Sequence, residues 1–167
     1  SVTVADLLAL EPDAEEKLHG LWLGYTESTG HPALREAIAA CYEAIAPTEV
    51  LVHAGAQEPI FNFFQVAAGP GDHVIVHGPG YQSLAEVPRA LGAEVTEWRG
   101  TGCDWALDLT DLQNQLTPRT RVVVVNFPHN PTGFLPTQAF VRELSALSER
   151  HGFRIFSDEV YRGLEHD

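Results

Sequence analysis

The segment RVVVVNFPHNPTG, residues Arg121–Gly133, gives the clearest indication of the fold. Its four successive valines are β-branched, and such a run is typical of a parallel strand that helices cover on both faces. The loop NFPHNPTG that follows contains two asparagines, two prolines and a glycine, which favour irregular backbone. A buried strand that ends in this loop predicts an α/β sheet with polar groups at one edge.

Strand-like and helical segments alternate along the rest of the chain. The predicted strands are Val50–His53, His73–Val76, Glu94–Trp98, Arg121–Val125 and Phe153–Phe156. The predicted helices are Pro32–Ile45, Gln57–Ala68, Tyr81–Leu91, Leu109–Leu116 and Thr137–Arg150. This alternation predicts an α/β fold with three layers, α/β/α, around a mainly parallel sheet.

Helical spacing also predicts which faces of the helices are buried. In the first helix the apolar face comprises Leu34, Ile38, Cys41 and Ile45. In the second it comprises Ile60, Phe63, Phe64 and Ala67. Gly152 is expected to end the last helix, since glycine commonly follows a helix.

The loops that follow the strands are where chemistry is expected, because ligands of open α/β sheets bind at the carboxyl ends of the strands. The first loop, HAGAQEP, begins at His53, and the amides of Ala56 and Gln57 would open a helix there and favour an anion. Most strand-to-helix turns bind nothing, so this signal is weak alone. In the second loop, HGPGYQSL, Tyr81 is either a core aromatic or a flat platform for a ring.

The last two loops carry the more specific side chains. Asn130 lies in the NPTG segment, where prolines stiffen the backbone and its amide could bond a ligand oxygen. In SDEVYRG, Asp158 follows the last strand, and Tyr161 lies three residues further on, a spacing close to one helical turn. The alternative for Asp158 and Glu159 is an exposed acidic pair.

Composition excludes several classes of function. The 167 residues are 44% hydrophobic and carry a formal net charge of −13, from 23 acids and 10 bases. This balance argues against nucleic acid and against an anionic membrane as partners. No apolar run reaches membrane-spanning length, and the acidic start is unlike a secretory signal.

Two distant cysteines, Cys41 and Cys103, predict neither a disulfide scaffold nor a zinc site, and a cytoplasmic location is the plain expectation. The eight histidines show no H-E-x-x-H spacing, so no metal is expected.

Taken together, these loops resemble one family. From about Leu23 to Asp167 the chain looks like the fold-type I pyridoxal-phosphate enzymes of the aminotransferase class I and II group. The resemblance rests on YTESTGHPALREAIA (Tyr25–Ala39), on the NPTG loop and on the DEVY loop, in that order with a helix between the last two. It implies the large domain of such an enzyme, with residues 1–30 leading into a partial cofactor-binding domain over residues 31–167.

The resemblance implies a role for each loop residue around pyridoxal 5′-phosphate. The amides of Ala56 and Gln57 would hold the phosphate, and Tyr81 would stack on the pyridine ring. Asn130 and Tyr161 would bond the 3-oxygen. Asp158 would pair with the pyridine nitrogen and keep it protonated.

Two further roles follow from the family's dimeric site. Tyr25 would reach the phosphate in the neighbouring subunit, and Gly30 would lie near the substrate carboxylate. A homodimer is therefore expected, with an amino acid and a 2-oxo acid as substrates.

The family's Schiff-base lysine has no counterpart in this chain. Lys17 is its only lysine, lies in an acidic stretch and is expected to be a solvated surface residue. The family's phosphate-binding and carboxylate-binding arginines would also lie beyond Asp167, and its sheet has seven strands. The chain is therefore expected to be an incomplete large domain that is inactive alone.

Three functions remain open at this level. The first is transfer of an amino group between an amino acid and a 2-oxo acid. The second is a lyase, cyclase or decarboxylase that uses the same cofactor, and the third is a non-catalytic fragment that binds only a cofactor or a partner chain. An NAD-binding domain is disfavoured because HAGAQEP lacks G-x-G-x-x-G.

Overall fold

A computed structural model describes residues 2–165 of the chain. The chain divides into two compact units, Ser1–Val52 and His53–Asp167. The predicted domains 1–30 and 31–167 stay a prediction. The sheet and the loops at its carboxyl edge belong to the second unit.

The first unit is built from short helices. They are α1 (Val4–Leu8), α2 (Ala14–His19), α3 (Pro32–Ala39) and a 3₁₀ turn over Pro47–Glu49. Sequence analysis did not predict α1 and α2. The start of α1 is a capping box, in which the Thr3 hydroxyl accepts a bond from the Asp6 amide and the Asp6 carboxylate accepts one from the Thr3 amide.

Helix α3 is shorter than predicted. It begins at Pro32 as expected but ends at Ala39, so the predicted extension to Ile45 is wrong. The amides of Cys41 and Tyr42 bond the carbonyls three residues earlier, which tightens the chain into a 3₁₀-type turn. Leu34 and Ile45 are exposed, so the predicted buried face of this helix does not form.

The predicted strand Val50–His53 does not form. The Val50 amide closes the 3₁₀ turn onto the Pro47 carbonyl, and the Val52 amide bonds the carbonyl of Thr29. A strand requires a continuous ladder to a neighbour, and these two isolated bonds do not supply one. The other four predicted strands are confirmed.

Within the described residues, the second unit contains one parallel sheet of four strands. They are β1 (His73–Gly78), β2 (Glu94–Arg99), β3 (Thr120–Asn126) and β4 (Arg154–Asp158), in the order β2-β1-β3-β4. Helix α4 (Gln57–Ala67) precedes β1, and one helix lies between each pair of successive strands. These are α5 (Gln82–Ala90) between β1 and β2, α6 (Leu109–Gln115) between β2 and β3, and α7 (Gln138–His151) between β3 and β4.

Helices cover both faces of this sheet, which confirms the three-layer prediction. Along β3, Val122 and Val124 pack with α4 and α5, while Val123 and Val125 pack with α6 and α7. All four valines are buried, because side chains of a strand alternate between two covered faces.

The predicted buried face of α4 is confirmed. Ile60 and Phe64 are buried, and Phe63 and Ala67 pack against the same cluster. The predicted end of α7 is also confirmed, since Gly152 adopts a left-handed conformation (φ 74°) and its amide bonds the Ser148 carbonyl.

Candidate active site

The candidate site lies at the carboxyl edge of the sheet. Because all four strands are parallel, the ends of β1, β3 and β4 meet at this edge. Asn126, the last residue of β3, is in register with Asp158, the last residue of β4. The predicted loops therefore start side by side.

A cavity of about 360 Å³ opens between these loops and the start of α4. Its walls are formed by Ala56, Gln57, Ile60, Tyr81, Asn126, Asn130, Asp158, Val160 and Tyr161. All six residues that sequence analysis assigned to the second unit as cofactor contacts are among them. The fold thus gathers, around one cavity, side chains that are up to about a hundred positions apart in sequence.

The Asp158 carboxylate is half-buried and held by its own turn. Its Oδ1 accepts a bond from the Val160 amide at 3.1 Å. Its backbone carbonyl accepts bonds from the Phe127 amide at 3.1 Å and from Asn126 Nδ2 at 2.9 Å. The acid is therefore anchored on both sides of its peptide and placed at the cavity wall.

Asn130 and Tyr161 meet on the same side of the cavity. Asn130 Nδ2 donates to the Tyr161 hydroxyl at 3.2 Å, although the two residues lie 31 positions apart. The Asn130 amide donates to Asn126 Oδ1 at 2.8 Å, which fixes the NPTG loop against the end of β3. The Asn130 amide and the Tyr161 phenol thus form a hydrogen-bonded pair at the cavity wall.

The start of α4 forms the opposite wall. Ala56 occupies the N-cap position, and its side chain cannot cap the helix. The first amides of a helix have no intrahelical acceptor, so those near Ala56 and Gln57 are available to an anion. The Glu58 carboxylate turns back and accepts a bond from the Ala54 amide at 2.6 Å, which ties the preceding loop to the helix.

Tyr81 precedes α5 as its N-cap residue, and about half of its surface is exposed. It lines the cavity rather than the hydrophobic core, so of the two predicted alternatives the platform is the one compatible with the structure. Gln57 Nε2 donates to Ser83 Oγ at 3.2 Å and joins the starts of α4 and α5.

Sequence analysis gave no role to Asn126, which the structure identifies as a connector. Asn126 is buried. Its side-chain Nδ2 donates to the Asp158 carbonyl, and its Oδ1 accepts a bond from the backbone amide of Asn130. A signal was available, since an asparagine that directly follows four buried valines is placed at the sheet edge. Its partners, Asp158 on β4 and Asn130 in the following loop, could not be identified from the sequence, because their contacts with Asn126 depend on the fold.

Tyr25 and Gly30 belong to the first unit, and their assigned roles stay predictions. Tyr25 is almost completely exposed. Gly30 has φ +106°, and a Cβ there would collide with the side chain of Val52, so its backbone conformation and this close contact both favour glycine.

Lys17 is exposed on α2, as predicted. Its ammonium pairs with Glu11 and with Asp13, the latter at 3.1 Å. The hydrogen bond that Lys17 donates to Glu11, followed by the one that it donates to Asp13, raises the pKa of Lys17 above its usual range. A protonated amine is a poor nucleophile, so this residue is unsuited to imine formation.

Residues 2–165 contain no group of three or more histidine, cysteine or acidic side chains arranged to hold a metal ion. In the same range, no helix combines the length and apolar character that crossing a bilayer demands.

Sequence comparison finds relatives across nearly the whole chain. The profile of the family described as aminotransferase class I and II matches residues 3–167. An aspartate aminotransferase of Sulfolobus acidocaldarius is 33% identical over 91% of this chain and 40% of its own length. A probable aspartate/prephenate aminotransferase of Thermus aquaticus is 34% identical over 95% of this chain and 46% of its own length.

Structural comparison agrees with the sequence match. A PLP-dependent aminotransferase from Streptococcus suis superposes with a TM-score of 0.89 at 34% identity, over 97% of this chain and 45% of that one. An aspartate aminotransferase from Thermus thermophilus, solved with maleate, gives a TM-score of 0.86 at 33% identity, over 92% of this chain and 42% of its own. The chain thus spans less than half the length of these relatives.

Proposed function

The chain belongs to the aminotransferase class I and II family, and from this premise we propose that the protein containing it transfers amino groups. The reaction would move an amino group from an amino acid to a 2-oxo acid, with pyridoxal phosphate as cofactor. The observation that carries this proposal is the cavity in which Asp158, Asn130 and Tyr161 converge opposite the start of α4.

The groups around the cavity fit pyridoxal phosphate by their chemistry. That cofactor has an anionic phosphate, a ring nitrogen that can be protonated, a hydroxyl oxygen on ring carbon 3, and a flat face. The helix start offers amides for the phosphate, Asp158 a carboxylate for the nitrogen, and Asn130 with Tyr161 hydrogen-bonding groups for the oxygen. Tyr81 offers a ring for the flat face.

When bound, pyridoxal phosphate acts as an electron sink for the amino acid's α-carbon. In our proposal the Asp158 carboxylate holds the proton on the pyridine nitrogen, because an opposite charge nearby favours the charged form. Its turn is fixed by the bonds from Val160 and Asn126, so the acid is oriented before the cofactor arrives.

The remaining groups bind and orient. Asn130 and Tyr161 would set the tilt of the ring through its oxygen, and the helix dipole of α4 would offset the phosphate charge. This local anion site explains how a chain with a net charge of −13 can bind a phosphorylated ligand.

Replacing Asp158 tests the proposal. In the protein that carries this chain, we expect Asp158→Ala to lower the transamination rate by about 100-fold or more, since the deprotonated ring is a weaker electron sink. Turnover of aspartate and of glutamate with 2-oxo acids measures the rate, and circular dichroism checks the fold.

Glu159→Ala is the matched control. It removes one acidic group from the adjacent position, where Glu159 is exposed and accepts a bond from Ser157 Oγ. We expect this variant to retain near-normal turnover. An Asp158→Ala protein as active as Glu159→Ala would refute the role given to Asp158.

The same assays separate the proposed reaction from its alternatives. A lyase or decarboxylase would release ammonia or carbon dioxide without requiring a 2-oxo acid, and a non-catalytic binding protein would release neither. The relatives are named as aminotransferases, which favours amino-group transfer over the alternatives.

We also propose that the protein is a cytoplasmic homodimer. The stretch around Tyr25 supports a partner chain, because Leu21, Trp22, Leu23 and Tyr25 are all largely exposed. Neither Cys41 nor Cys103 forms a disulfide, which is compatible with a reducing compartment. Sedimentation is expected to give twice the mass of one chain, and a monomer at micromolar concentration would contradict the proposal.

A further inference from the structure

Behind the cavity, two buried histidines stack on each other. The rings of His77 and His129 have centroids 3.5 Å apart and planes within 16° of parallel. Both residues are about 97% buried. Neither belongs to the cofactor contacts predicted from sequence, and their positions in the chain are 52 residues apart.

The stack joins the two loops that carry opposite groups of the cavity. His77 lies near the end of β1, four residues before Tyr81, and His129 directly precedes Asn130. His129 is itself held within its loop, since its Nδ1 bonds the Thr132 hydroxyl at 2.7 Å and its carbonyl accepts the Gly133 amide at 2.7 Å. A shift of either ring would therefore move a residue of the cavity wall.

The rings in contact with His77 are mostly apolar. They are those of Trp98, Phe127 and Phe134, and the fourth is the titratable ring of His129. His77 also borders a cavity whose lining includes the charged side chains Glu86, Arg89 and Glu97. His77 Nδ1 and His129 Nε2 have no hydrogen-bond partner among the described protein atoms. An additional proton on either ring would place a charge in this buried environment, which disfavours the charged forms.

Burial accordingly lowers the pKa of His77 to about 3, with a further lowering by His129 and an opposing effect of the Asn126 backbone carbonyl. Burial also lowers the pKa of His129, while a hydrogen bond to the Pro79 carbonyl has a smaller, opposite effect. Both imidazoles are therefore neutral at physiological pH, and two neutral rings can stack without charge repulsion.

We propose that His77 and His129 form a positioning pair, whose stacking holds the loop of Tyr81 against the loop of Asn130 and so maintains the shape of the cofactor cavity. Neither ring lines this cavity, so the pair acts through Tyr81 and Asn130. The inference rests on the proposed function only in naming pyridoxal phosphate as the ligand.

Substitutions at His77 test the proposal, because they can separate the ring from its nitrogen atoms. His77→Phe keeps a flat ring, His77→Gln keeps a polar side chain without a ring, and His77→Ala removes both. His73→Ala is the matched control, since His73 is equally buried at the opposite end of β1, where it bonds Thr96 and Thr120.

Two measurements are made on each protein. The first is the dissociation constant of pyridoxal phosphate, and the second is hydrogen exchange of the Asn130 and Gly133 amides in cofactor-free protein. We expect His77→Ala and His77→Gln to weaken binding by about tenfold and to speed exchange, since tenfold corresponds to about 1.4 kcal/mol, which lies within the coupling energies of residues in contact. His77→Phe should stay within about threefold of wild type in both, and His73→Ala should keep wild-type affinity despite a lower Tm.

The outcomes are distinct. Rescue by His77→Gln instead of His77→Phe would show that a polar contact matters rather than stacking, and would overturn the proposal. Equal effects of His77→Ala and His73→Ala on affinity and on amide exchange would show that both act by a general loss of stability, and would overturn the proposal. If His77→Ala does not fold, the Phe and Gln variants decide alone. If the wild-type protein binds no pyridoxal phosphate, the proposed function fails, while amide exchange still tests the pair.

Discussion

At the scale of single residues, Asn126 connects the two loops that carry Asn130 and Asp158. Its side chain is buried and makes a bond of 2.9 Å to the Asp158 carbonyl and one of 2.8 Å to the Asn130 amide. We expect Asn126→Ala to lower the free energy of unfolding by about 2 kcal/mol, because the Asn130 amide loses its acceptor. Urea denaturation measures this change.

The same substitution is expected to weaken cofactor binding, which distinguishes a site residue from a stabilising one. Ser148→Ala is the control, since Ser148 also donates a side-chain bond, to the Phe153 carbonyl, but between α7 and the segment before β4. It should cost a similar free energy and leave affinity unchanged. Parallel losses of affinity in both variants would argue against a local role for Asn126.

At the scale of elements, α4 both buries a face and presents its first amides to the cavity. Phe64 is fully buried among sheet residues, while Val66 on the same helix is 87% exposed. We expect Phe64→Ala to lower the free energy of unfolding by about 3–5 kcal/mol, because it removes a large side chain and leaves a cavity. Val66→Ala is expected to change it by less than about 0.5 kcal/mol.

Chemical denaturation of both variants checks this contrast. Similar losses at positions 64 and 66 would mean that α4 packs against the sheet through another face. In that case the start of the helix would also be oriented differently, and the anion site at Ala56 and Gln57 would have no support.

At the scale of the whole molecule, buried histidines make stability depend on pH. Burial lowers the pKa of His73, His77 and His129 below 6.5, for His77 to about 3. Below the unfolded value of about 6.5 the unfolded chain binds more protons than the folded one. The stability that these groups contribute is therefore fully present above about pH 6.5 and is lost as the pH falls, for His77 down to about pH 3. Each such group contributes a slope of at most about 1.4 kcal/mol per pH unit.

Urea denaturation at a series of pH values from 8 to 5 measures this dependence. Wild-type protein is expected to lose stability steadily below about pH 6.5, and His77→Phe, which cannot titrate, to lose it less steeply. Stability that stays constant from pH 8 to 5 would show that these histidines are not held neutral by burial.

The regular part of the fold could largely be predicted from the sequence. The β-branched, uncharged run Val122–Val125 predicted a strand covered on both faces. Helical spacing predicted the buried face of α4, which comprises Ile60, Phe63, Phe64 and Ala67. These are local patterns whose period follows from backbone geometry. The strand predicted at Val50–His53 failed because a ladder depends on a partner that local sequence does not contain.

Local patterns in the sequence were thus sufficient for the alternation of the four strands and their helices, for the family and for the residue types at the ends of the strands, since periodicity and loop composition are local properties. Which of those residues meet depends on the three-dimensional fold. The parallel register brings Asn126 beside Asp158, and the packing of the NPTG loop against the end of β1 stacks His129 on His77. Such pairings arise from contacts between distant segments, which no local pattern encodes.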